Sequence, residues 1–154
     1  MANFELEIVN ESDFEVDENR LLETAEFTMS FLNLNTETEL SIALVTLAEM
    51  ERLHVEHMDE PGATDVLSFE MDEIRIPATG EEAEPGILGD VILCPEFAKN
   101  QALENGNGFE KEMDMLLVHG ILHLLGHDHA EPEEHEVMFG MQNEILAALA
   151  SKAK

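Results

Sequence analysis

The run from Phe109 to Leu125 constrains this chain more than any other stretch. It reads as a strongly apolar helix, set off by Asn105-Gly106-Asn107-Gly108 before it and by Gly126 after it. No apolar stretch of the chain reaches the ~20 residues needed to span a bilayer. A helix this apolar must therefore be covered by the chain's other elements, and the sequence offers them in order. Residues 4–9 alternate apolar and acidic, as a half-buried strand does. Asp17 is placed to cap a helix running to about Leu32, with Leu21, Ala25 and Met29 on one face. Leu40 to Val45 reads as a strand and Ala48 to His57 as a helix. Asp65–Phe69 and Asp90–Cys94 are short β-type runs, separated by an acidic loop from Pro77 to Gly86. Pro95 opens a helix to about Glu104, and Glu133 to about Ala150 forms the last one. Strands mixed with helices in this order predict an α+β fold with one small mixed sheet.

The length of 154 residues suits one domain, 1–154, with a real core. A hydrophobic fraction of 44% and a mean hydropathy of -0.13 are those of a globular chain. Cys94 is the only cysteine, which excludes an internal disulfide and a cysteine zinc cluster, and agrees with a reducing cytoplasm. Met1 to Val9 carries no basic segment before an apolar run, so a cytoplasmic protein without a signal peptide or membrane partner is expected. The formal net charge is -28 and the pI near 4.2. Such a surface repels polyanions at long range. Trp and Tyr are absent, leaving Phe as the aromatic that could stack on a base.

The chemistry is concentrated in His119-Gly120-Ile121-Leu122-His123-Leu124-Leu125-Gly126-His127-Asp128-His129. His119 and His123 are four apart on the predicted helix, so both imidazoles project from one face and can share an ion. A catalytic zinc needs a third protein ligand. On a continuing helix His127 would lie roughly 12 Å along the axis from His119, beyond the reach of bonds of about 2.0–2.1 Å to one ion. The chain must turn, and Gly126 can do so in a left-handed conformation, which favours His129 over His127. The spacing matches that of the metzincin zinc peptidases, but Gly120 stands where those carry their glutamate base. Neutral imidazoles would leave the ion's full charge to act on bound water. A closed structural site, with Asp128 or His127 as fourth ligand, is the alternative. Elsewhere, His54, His57 and His135 read as surface residues and Cys94 as a small buried hydrophobe.

At this motif the chain resembles the YbeY family of metal-dependent endoribonucleases, the rRNA maturation factors. Ala63-Thr64-Asp65-Val66-Leu67-Ser68-Phe69 is similar to the family's P-T-[DN]-V-L-S-F segment, and Leu88-Gly89-Asp90-Val91-Ile92 to its L-G-D-[IV]-x strand. The resemblance implies a small α+β domain with a four-stranded sheet, about five helices and one zinc ion on residues matching His119, His123 and His129. It also implies a single-strand-specific endoribonuclease in the cytoplasm. The expected work is maturing the 3′ end of small-subunit ribosomal RNA and ribosome quality control. The expected partners are ribosomal RNA, the small ribosomal subunit, the GTPase Era and a small-subunit ribosomal protein. Two positions depart from the pattern: Met58 stands where many members carry an arginine thought to contact RNA, and Ala63 replaces the motif's proline.

Asp128 and Ser68 are the candidate catalytic assistants to a zinc-activated water. Two other readings remain open on the sequence. One is a zinc hydrolase of another bond, such as a peptidase, and the other a non-catalytic ribosome-assembly factor in which zinc staples the last two helices.

Overall fold

The computed structural model of the chain describes residues 4–58, 64–127 and 131–152. Alternation of side chains along an extended chain sorts the first strand, β1 (Glu5–Asn10), into an exposed row with Glu5 and Glu7 and an inner row with Leu6 and Ile8. The helix α1 (Glu18–Phe31) begins at Asp17, whose carboxylate accepts from the Arg20 N–H at 3.1 Å. Its Leu21, Ala25 and Met29 are buried, as their spacing requires. Next come β2 (Glu39–Leu44), α2 (Leu47–Met58), β3 (Val66–Glu70), β4 (Ile87–Leu93) and α3 (Pro95–Asn105). Two further helices, α4 (Phe109–Leu124) and α5 (Pro132–Lys152), end the chain.

The four strands form one mixed sheet in the order β1-β2-β4-β3. The pairs β1–β2 and β2–β4 are parallel, and β3 runs antiparallel to β4 with Ser68 opposite Val91. The α+β class and the four-stranded sheet expected from the sequence are thus observed, with five helices among the described residues. Strand β4 starts at Ile87 rather than Asp90, because it pairs with β2 through Gly89, which interrupts the apolar run in the sequence. The last helix also extends at both ends of the expected span.

One face of the sheet carries the main core. Leu40, Ile42, Leu44, Val91 and Leu93 meet Leu21 and Met29 of α1, Leu117 and Ile121 of α4, and Met138 and Ile145 of α5. A smaller cluster of Val45, Met50, Leu67 and Cys94, joined by Phe69 and Ile92, lies on the alternate side chains of β3 and β4. Cys94 is fully buried, and burial pushes its thiol above the ordinary range. Helix α4 is the hub, touching α1, α3, α5, β3 and β4. Its Leu117, Val118, Ile121 and Leu122 are wholly buried, each worth about 1.5–3 kcal/mol of transfer free energy. None of the described helices is long and apolar enough to cross a membrane.

Candidate metal centre

Helix α4 cannot be buried on every side without close contact to the sheet, and Gly120 is where that contact occurs. A Cβ there would lie 2.8 Å from Val91 Cγ1, 3.1 Å from Ser68 Oγ and 3.3 Å from Val66 Cγ2. The face bearing Gly120 is therefore flush against β3 and β4. Ser68 Oγ reinforces the contact by donating to the Gly120 carbonyl at 2.9 Å. This explains why the glutamate of metzincins has no counterpart at position 120, since a side chain there would point into packed sheet.

The imidazoles lie on another face of the helix. His119 and His123, both half-buried, meet edge to face with ring centroids 4.6 Å apart, and their Nε2 atoms are 3.0 Å apart. Two nitrogens bound to one tetrahedral ion at about 2.0–2.1 Å stand roughly 3.3 Å apart. The pair is thus within a few tenths of an ångström of the spacing a shared ion requires. Without a cation, two lone pairs at this distance repel unless a proton lies between them. The far nitrogen of His119, Nδ1, is 2.8 Å from Oε1 of Gln142 on α5, and Phe139 one turn earlier lies 5.5 Å from the same ring.

The end of α4 follows the expected turn. The last helical hydrogen bond is from the Leu125 N–H to the Ile121 carbonyl at 3.1 Å, Gly126 has φ of 93°, the Gly126 N–H donates to the His123 carbonyl at 3.0 Å, and the His127 N–H to that of Leu122 at 3.1 Å. The latter two bonds define a Schellman cap, which redirects the chain within two residues. A Cβ at Gly126 would lie 2.6 Å from Arg75 Nε, so a side chain there would have to displace the Arg75 guanidinium in addition to adopting the positive φ. Arg75 sits between Ile74 and Ile76, both packed on the core, and its guanidinium also binds Glu70 at 2.7 Å and Glu73 at 3.4 Å. Burial, and then the Arg75 charge, push the His127 imidazole below its ordinary pKa.

Of the sequence-derived site residues, His119 and His123 are brought together and Ser68 is held one strand away at Gly120. His129 and Asp128 lie outside the described residues. Among the described residues no group of three or more His, Cys, Asp or Glu side chains is gathered for a metal ion. The donor set that is described consists of imidazole nitrogens, which suits zinc better than magnesium or calcium.

The family model described as Endoribonuclease YbeY matches residues 7–150. The chain belongs to the endoribonuclease YbeY family. A Thermobifida fusca relative bearing that name is 51% identical over 142 residues, covering 92% of both chains. One from Leifsonia xyli is 51% identical over 146 residues, covering 94% of this chain and 95% of its own. The solution structure of a Thermotoga maritima protein shares the fold with a TM-score of 0.60 at 24% identity, covering 92% of this chain and 86% of that one. The family expected from the three sequence blocks is the one found, and with it the enzyme class, a hydrolase acting on RNA.

Sequence reasoning missed Gln142 and Arg75. Gln142 occupies the buried stripe of α5 with Met138 and Ile145, at i+4 and i+7 spacing. A lone amide in that stripe was a usable signal. Arg75 precedes the acidic loop and carried no signal, since only the fold brings it to Gly126. His135, read as a surface residue, is exposed yet stacks on Phe139 at 4.4 Å, so it belongs to the surroundings of His119.

Proposed function

We propose that the chain is a zinc-dependent endoribonuclease acting on single-stranded RNA, with one zinc ion held by His119, His123 and His129. The observation that carries this reading is the 3.0 Å approach of the two Nε2 atoms, in a chain whose relatives are named endoribonucleases. A zinc ion held there supplies a Lewis acid for a phosphoryl oxygen and for an activated water.

The chain's own residues prepare that site. Gly126 ends α4 in a turn at positive φ, and we assign the third ligand to His129, three residues on. Gly120 and Ser68 seat α4 on β3 and β4, which fixes the direction of His119 and His123. We therefore assign Ser68 to positioning the helix, because its proton is engaged by the Gly120 carbonyl, and leave Asp128 as the assistant to the reacting water. Arg75, beside Gly126 and His127, offers a cation at the edge of the site, though it shares its charge with Glu70 and Glu73.

The substrate fitting the family is ribosomal RNA. We assign the chain to maturing the 3′ end of small-subunit rRNA and to ribosome quality control in the cytoplasm, with the small subunit, one of its proteins and the GTPase Era as partners. A partner of this kind would also answer the charge of -28, which opposes unaided RNA binding. The peptidase alternative lacks support at position 120, where packing leaves no space for a base.

The deciding experiment offers the purified chain single-stranded RNA and casein, each with and without chelator. RNA should be cut internally, chelator should stop it, and casein should stay intact. Cleavage of casein alone would establish the peptidase, and bound metal with neither activity the non-catalytic assembly factor.

A further inference from the structure

We infer that Gln142 is a positioning residue for His119: it holds the ring in the tautomer whose Nε2 presents a lone pair to a metal. This rests on the metal reading above, and it concerns a residue that reading does not use.

An imidazole that binds a cation through Nε2 must carry its remaining proton on Nδ1. That proton needs an acceptor, and Gln142 Oε1 stands 2.8 Å from Nδ1. The amide is 3% exposed in the core-facing stripe of α5, between Met138 and Ile145, which are fully buried. A buried amide costs stability unless it is hydrogen-bonded, so an apolar residue would suit packing at this position better. The ring is also steered from one side by Phe139, three residues earlier on α5. Helix α5 thus offers His119 an acceptor for its Nδ1 proton and an aromatic neighbour, while α4 supplies its position and the edge-to-face His123 ring. With Nδ1 protonated, any proton shared between the two rings across the 3.0 Å gap comes from His123 Nε2, and a cation has only that one proton to displace.

Two variants separate this role from plain packing. Gln142→Met keeps the volume and removes the acceptor, and Gln142→Glu keeps an acceptor. The first measurement is the ring-nitrogen chemical shifts of His119 in the metal-free, isotope-labelled protein, which report the tautomer without needing metal or activity. The wild-type and Gln142→Glu rings should be protonated on Nδ1, and Gln142→Met should shift toward Nε2 or a mixture. The second is zinc affinity by chelator competition. Gln142→Met should bind zinc about 10- to 100-fold more weakly, with Gln142→Glu near or above wild type. A His119 protonated on Nε2 in the wild type, or a Gln142→Met variant with wild-type tautomer and affinity, would overturn the proposal. A wild-type chain that takes no zinc would overturn the metal reading instead, and the tautomer would still decide the role of Gln142.

Discussion

The two halves of α4 handle buried polarity in opposite ways. In the first half Asp114 is buried but met by its opposite charge. Arg20 donates to it from Nη2 at 2.8 Å and from Nε, Thr24 adds a hydroxyl at 3.1 Å, and the aspartate holds the guanidinium pKa above its usual value. Glu112, also buried, accepts from Gln101 at 2.7 Å. In the second half the polar groups are two imidazoles aimed at each other, both able to present lone pairs. Such a pair is completed by a proton or by a metal ion. Polarity met by an opposite charge within the fold is structural, and two imidazoles presented to each other at this spacing are a candidate site.

The comparison breaks if variants in the two halves behave alike. The largest separation is expected at the end of the second half. Gly126→Val places a β-branched residue at positive φ and against the Arg75 guanidinium, a strain of about 1–3 kcal/mol. It should remove nearly all bound zinc while deleting no ligand. His127→Ala should retain the metal, and equal zinc content in the two variants would contradict the turn geometry. His129→Ala should lose zinc as fully as His119→Ala or His123→Ala, and with it some thermal stability in the zinc-loaded state.

In the first half the expected change is in stability instead. Asp114→Ala leaves Arg20 and Thr24 without their acceptor and should cost about 1–3 kcal/mol in urea unfolding. Zinc affinity should be unaltered. A tenfold loss of affinity in this variant would mean that the halves are coupled and the division is wrong.

The smallest effects concern the substrate. With a charge of -28, binding of naked RNA should be weak and only shallowly dependent on salt, because few counterions are released. A steep fall of affinity with added salt would reveal a basic contact surface. Met58→Arg, at the end of α2, introduces the residue type that the sequence resemblance leads one to expect there. It should speed cleavage of single-stranded RNA a few-fold, mainly through tighter binding, and unchanged binding and rate would count against direct RNA contact there.

Much of this was legible in the sequence because it depends on local rules. The Asp17 cap, the glycine turn at Gly126 and the four-residue spacing of His119 and His123 are each fixed by a few neighbouring residues. The strand order was not legible, since β4 inserts between β2 and β3 only when long-range pairing is known. Gln142 and Arg75 were missed for the same reason. Each acts on α4 from a distant segment, and nothing in their own neighbourhoods names the partner. For Ser68 the sequence displays a hydroxyl but hides the Gly120 carbonyl to which it donates.

X-ray absorption at the zinc edge of the zinc-loaded chain tests the central claim most directly. The expected result is a first shell of nitrogen and oxygen near 2.0–2.1 Å with the outer-shell scattering of imidazole rings, lost in His119→Ala and His123→Ala. A shell containing sulfur from Cys94, or zinc retained by both variants with an unchanged spectrum, would contradict it.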